Sequence, residues 1–180
     1  MIRDIAKLMQ AISDAYNLAI PDPQTNKRGP FQPFFSPEDK RTYTYCNEAF
    51  SFVCKAMGYL GFDLEKTPNP FDAKLAAQIF SVMMDPAGHW REIPFSAGQE
   101  IANRGGVVGL IWDNPAGPSH VCAVMPGQMQ NSASWGCPAP CVMNVGQSVF
   151  IGKKASLAFT KAELPRCFTL KDEAPIQAGA

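Results

Sequence analysis

The chain of 180 residues has no long hydrophobic run, no excess of charge of either sign and only two histidines. Each absence excludes something. A bilayer-spanning helix needs roughly 20 consecutive apolar residues, and no stretch here approaches that length, so no membrane insertion is expected. Sixteen Lys and Arg balance sixteen Asp and Glu, with no basic run to follow a phosphate backbone or an anionic bilayer, so nucleic acid is not an expected partner. Six cysteines are too few for a disulfide scaffold in a chain this long. Cys137 and Cys141 are the closest pair in sequence should the chain meet an oxidising compartment. The opening MIRDIAKLMQAISDAY carries Asp4, Lys7 and Asp14 where a signal peptide needs an unbroken apolar stretch. Synthesis in the cytoplasm without a signal peptide is therefore expected.

What is present supports one core: 46% of the residues are hydrophobic, and the length favours a single domain over 1–180. Ile2, Ile5, Met9, Ile12, Tyr16 and Leu18 recur at helical spacing, predicting an amphipathic helix over 2–18 that Pro21 and Pro23 close. Residues 21–43 have loop composition around the aromatic cluster FQPFF. A second helix is predicted from Thr44, as cap, to Met57. A third carries Asn69 as N-cap and Pro70 at its first position, and continues through Ile79 and Met83. A fourth starts at the capping-box pattern Ser96 to Gln99 and ends at Arg104, before Gly105 and Gly106. The period then changes to two. VVGLIW, HVCAVM, PCVMNVG, SVFIG and ASLAF read as successive antiparallel strands. Helices first and sheet second make an α+β arrangement.

The stretch TYCNEAFSFVCKAMGY places two cysteines eight positions apart in one predicted helix. Cys46 sits at its start, where unpaired N–H groups and the positive end of the helix dipole favour thiolate over thiol. The same N–H groups can receive the oxyanion that forms when a thiolate attacks an amide carbonyl. Cys54, two turns on, has neither advantage and reads as a small core residue. A thiol nucleophile needs a base. His89 falls in the loop DPAGHWRE, whereas His120 opens the strand HVCAVM, with Cys122 and Val124 on its face by alternation. The base in turn needs an orienting group. Asn144 is a polar residue inside the apolar strand CVMNVG, and an Nδ1–H from His120 is the expected donor to it. Gln147 takes its place if the strand register differs.

The order TYCNEAFSFVCKAMGY, IANRGGVVGLIW, PSHVCAVMPG, CVMNVG and ASLAF resembles the NlpC and CHAP group of papain-like cysteine peptidases and amidases. The resemblance covers about residues 40–160. It implies a papain-like core over 41–160, preceded by a helix and loop extension over 1–40. It also implies Cys46 as nucleophile, His120 as general base and acid, Asn144 as orienting residue, and neither metal nor cofactor. The implied substrate is an amide bond in the peptide stems of peptidoglycan. Ser119 stands where many relatives have Gly, and Tyr45 where many have Asp; neither change removes a reacting group. Tyr45, Trp90, Trp135 and FQPFF are candidates for the walls of the substrate groove. A wall-directed enzyme made in the cytoplasm reaches its substrate by lysis, on a phage particle or by injection, with a cognate immunity or delivery protein as partner. Two other readings compete. His120, Cys122, Cys137 and Cys141 are a potential four-ligand zinc set of a binding module, and a catalytically idle relative would serve as a binding or immunity protein.

Overall fold

The computed structural model describes residues 3–64 and 71–171. Four helices and a six-stranded, wholly antiparallel sheet make an α+β architecture. The helices are α1 (Ile5–Asn17), α2 (Cys46–Ala56), α3 (Ala76–Met84) and α4 (Phe95–Asn103). The sheet strands are β3 (Trp90–Glu92), β4 (Val108–Trp112), β5 (His120–Val124), β8 (Cys141–Val145), β9 (Val149–Lys154) and β10 (Arg166–Leu170), in the order β3-β10-β4-β5-β8-β9. Two small hairpins flank it: β1 (Phe34–Ser36) with β2 (Arg41–Tyr43), and β6 (Gln130–Ser132) with β7 (Cys137–Ala139). No helix among the described residues is long and apolar enough to cross a membrane.

Alternation along the strands divides the apolar residues between two faces. On one face Val121, Ala123 and Met143 pack with Leu8 and Ile12 of α1, Phe50 and Val53 of α2, and Ile79 and Met83 of α3. On the other, Leu110, Cys122, Val124 and Val142 pack with Ala102 of α4, Trp135 and Phe159. Gly109 on β4 is what brings α2 onto the sheet. A Cβ there would lie 2.6 Å from the Phe50 ring, a distance that real Cβ atoms do not tolerate, so a larger residue would lift the helix and the thiol at its end. On the second face Gln99 of α4, 4% exposed, donates to Met125 O (2.9 Å) and accepts from Cys141 N (2.8 Å), tying the helix to the ends of β5 and β8.

Helix ends depart from the sequence pattern in instructive ways. α1 begins at Ile5, its N–H groups capped by the Asp4 carboxylate (2.9 Å to Lys7 N). α2 begins at Cys46 with Tyr45 as N-cap and no side-chain cap, so Thr44 does not fill that role. Asn69 and Pro70 lie outside the described residues. α3 begins only at Ala76, after Asp63 and Ala73 form an isolated antiparallel bridge. Ser96 is inside α4 rather than at its cap, because the Gln99 side chain is drawn into the sheet instead of back to the helix start. The predicted exit does form: Gly105 takes φ +83°, and the N–H groups of Gly105 and Gly106 return to Ala102 O and Ile101 O.

The strand pattern is corrected at ASLAF and RCFTL, and stretches read as loop hold the further strands β1 with β2, β3, and β6 with β7. ASLAF is a 3-10 turn (Ala155–Leu157) and its continuation, because β9 runs on through Lys153 and Lys154. RCFTL, not singled out in sequence, is β10, inserted between β3 and β4; Arg166 fastens it to β3 through both carboxylate oxygens of Glu92.

Candidate active site

Three elements bring chemistry to one end of the sheet: the first residue of α2, the first of β5, and a residue of β8. β5 pairs with β8 at Ala123↔Met143 and Val124↔Val142; continued toward the start of β5, that register sets Cys122 opposite Asn144 and His120 opposite Gly146. His120 Nε2 donates to Asn144 Oδ1 at 2.7 Å. Asn144, 1% exposed, in turn donates through Nδ2 to Ser148 O at 2.5 Å, which closes the turn between β8 and β9. The nitrogen that meets Asn144 is Nε2, not Nδ1 as the sequence suggested. Gln147 is exposed at the cleft, and Asn144 is the residue that meets the imidazole.

Cys46 is 5% exposed. Burial pushes its thiol up, but the charge and hydrogen bond of His120, with the backbone N–H groups of Val121 and Asn47, more than offset this and leave it below the ordinary thiol value. Burial alone would push His120 down. The opposing attraction and hydrogen bonds of Cys122 and Cys46 hold it well above the ordinary imidazole value. Together these shifts favour a thiolate and imidazolium pair. Three other thiols move the opposite way: burial and Asp63 push Cys54 well up, burial raises Cys141, and burial with Glu92 raises Cys167 to about 12. The two cysteines of α2 thus differ as their positions require, Cys46 at the helix start beside a base and Cys54 sealed in the core.

A cleft of about 380 Å³ opens onto His120 and Asn144; Cys46, itself buried, is not among its lining residues. Thr42, Thr44, Trp112, Ser119, Phe159 and Glu163 are among the residues that line it. The Phe159 ring packs 5.0 Å from the imidazole and covers it. Ser119 Oγ donates to Asp113 (2.8 Å) and accepts from Asn114 N (3.0 Å), which fixes the turn that delivers His120. Gly146 is packed against the imidazole: a Cβ there would lie 2.9 Å from Cε1 of His120. Gly146→Ala is therefore expected to push the ring off Asn144 and, where His120 serves as a base, to lower turnover about 10-fold to 100-fold, since small misplacements of a base are costly. Melting temperature and steady-state rates on one preparation separate this from unfolding.

The expected groove aromatics are placed elsewhere. Trp90, 1% exposed, stacks on Phe62 (5.4 Å) in the core beneath α2, and Trp135, 6% exposed, stacks on Phe95 (5.4 Å). Neither lines the cleft, because large aromatic faces are worth most when buried. Trp135 does act on it at one remove, donating through Nε1 to Phe159 O at 3.1 Å. Tyr45 flanks Cys46, its ring aligned with Phe34 at 6.5 Å and its hydroxyl held by Arg28 (3.0 Å). Of FQPFF, Phe31 is core, whereas Phe34 and Phe35 stand on the exposed hairpin whose second strand carries Thr42. His89 is exposed, beside Tyr59. Phe159, Gly146 and Glu163 were not read from the sequence; the aromatic end of ASLAF was the one available signal.

All six cysteines are free thiols. Among the described residues no three His, Cys, Asp or Glu side chains converge as a metal site; of the potential zinc set, Cys137 is exposed on β7 while Cys122 is buried. Compared with known proteins, the chain matches no family model and no curated protein. Its likeness to the NlpC and CHAP group rests on the motifs alone.

Proposed function

We propose that the protein is a cysteine-dependent amide hydrolase with a papain-like fold, acting through Cys46, His120 and Asn144. The observation that carries this reading is the shared imidazole: His120 is hydrogen-bonded at 2.7 Å to a buried amide and holds the Cys46 thiol below its ordinary pKa. In the proposed reaction the Cys46 thiolate attacks the carbonyl carbon and the π electrons move onto oxygen, which backbone N–H groups at the start of α2 receive. The C–N bond breaks as the imidazolium gives its proton to the leaving amine. The neutral imidazole then takes a proton from water, the hydroxide adds to the thioester, and the carboxylate leaves as the thiolate re-forms. Asn144 keeps the ring in the plane these transfers need.

The motif resemblance directs the substrate to peptide stems of peptidoglycan. The cleft is compatible with a peptide: apart from His120, its one ionisable lining residue is Glu163, which suits an uncharged or cationic stretch rather than a polyanion. Such an enzyme reaches the wall after lysis, on a phage particle or by injection, and a cognate immunity or delivery protein belongs to the same reading. The test is to incubate purified sacculi with the protein and weigh the released muropeptides. New amine and carboxyl termini, a gain of one water per cut, are expected. Intact sacculi together with an inert Cys46 thiol would favour the idle binding module instead.

A further inference from the structure

We propose that Cys122 is a positioning residue for the Cys46 and His120 pair, its buried thiol locking the Asn144 amide in the orientation that holds the imidazole. The inference rests on the active-site reading above. Cys122, 1% exposed, donates through Sγ–H to Asn144 Oδ1 at 2.9 Å and lies 3.4 Å from His120 Nε2. The carbonyl end of Asn144 thus accepts from two donors, Nε2–H and Sγ–H, while its amino end donates to Ser148 O. A primary amide has two ends of nearly equal shape, and hydrogen bonds alone decide which way it points. Turned over, Asn144 would set N–H groups against both the Cys122 thiol and Nε2, and would favour an imidazole without a proton on Nε2. That state is neutral, and a neutral ring no longer stabilises the Cys46 thiolate.

The role requires Cys122 to keep its proton. Burial pushes this thiol up, His120 draws it down, and the nearby Cys46 adds a smaller upward effect, with a net rise. One imidazole between two thiols would otherwise divide its charge. A protonated Cys122 gives Asn144 a donor; the attraction that Cys122 would exert on His120 as a thiolate is then absent, and the Cys46 thiolate alone holds the imidazolium.

The test reads Cys46 alkylation by iodoacetamide against pH, mapped by peptide mass, in wild type, Cys122→Ala and Cys122→Ser. The exposed Cys137 serves as internal reference, and melting temperatures confirm that each variant is folded. Wild type is expected to alkylate Cys46 with a midpoint below the ordinary thiol value. In Cys122→Ala the midpoint should rise by about one pH unit, a tenfold loss of thiolate at fixed pH. Cys122→Ser, whose hydroxyl supplies the same donor, should recover most of it. A low wild-type midpoint that Cys122→Ala leaves unmoved overturns the role of Cys122 alone. So does a rise that Cys122→Ser fails to reverse, which would assign the effect to packing. A wild-type Cys46 no more reactive than Cys137 overturns the active-site reading itself.

Discussion

Cys46→Ala is expected to abolish hydrolysis, with a loss on the order of 10⁴-fold to 10⁶-fold, the range seen when a covalent nucleophile is removed from an intact site. The fold should survive, because the side chain removed is small and sits at a helix end, and Ala is the best helix former. The informative control is Cys54→Ala on the same helix. Both side chains are buried and both substitutions delete one sulfur, so a general packing effect would penalise the two alike. Their environments differ in kind: Cys46 is reached by His120 and two backbone N–H groups, whereas Cys54 is buried near Asp63, which with burial keeps it protonated. Cys54→Ala should therefore cost stability, about 1 kcal/mol or more for a sealed core position, and leave the rate per folded molecule unchanged. Rates on a muropeptide substrate, normalised to folded protein by circular dichroism, decide the matter. Equal losses at the two positions would remove Cys46 from the mechanism.

How far the sequence foretold this arrangement depends on the range of the forces involved. The helix of Cys46 and the strands β4, β5 and β8 are marked by local period, 3.6 or 2, and those elements stand where the pattern puts them. Strands β3 and β10 are marked by almost nothing local. WRE and RCFTL become strands because they pair with each other, and RCFTL with β4, across more than 50 residues of chain, and such pairing leaves no periodic trace in three to five residues. The same holds for the end of α4: Ser96 to Gln99 has the letters of a capping box, yet the buried Cys141 N–H and Met125 carbonyl claim the Gln99 side chain. Leaving those two groups unpaired would cost about 1–3 kcal/mol each, more than a cap returns.

In the site, the legible residues were the chemically exceptional ones. A thiol at a helix start, a histidine at a strand start and an amide inside an apolar strand each break a local rule, and the structure gathers all three within reach of one ring. Gly146, Phe159 and Cys122 break none. Their effect on the imidazole comes from register and from the path of the chain after β9, so a reader of the sequence could see Cys122 on the His120 face without learning what it touches. Trp90 and Trp135 show the converse, since aromatic size marks the core as readily as a groove.

His120→Ala should produce the second large effect, a loss on the order of 10²-fold to 10⁴-fold in turnover, and its pH dependence identifies the cause. The reactive pair exists above the depressed pKa of Cys46 and below the elevated pKa of His120. Wild type should therefore show a bell: activity rises as Cys46 loses its proton and falls at alkaline pH when the imidazolium that protonates the leaving amine disappears. Removing His120 deletes the attraction and the hydrogen bond that oppose burial at Cys46, so the thiol pKa moves up and the acid limb shifts to higher pH. The alkaline limb, which belongs to the imidazole, should vanish. Asn144→Ala should lie between wild type and His120→Ala, with both limbs retained, and Asn144→Asp should keep more activity and push the alkaline limb upward, because a carboxylate favours imidazolium. His89→Ala, exposed beside Tyr59, should trace the wild-type curve. Rate against pH for the five proteins separates the contributions. A bell that survives His120→Ala and collapses in His89→Ala would transfer the base to the other histidine, and the geometry around Asn144 would then need a purely structural explanation.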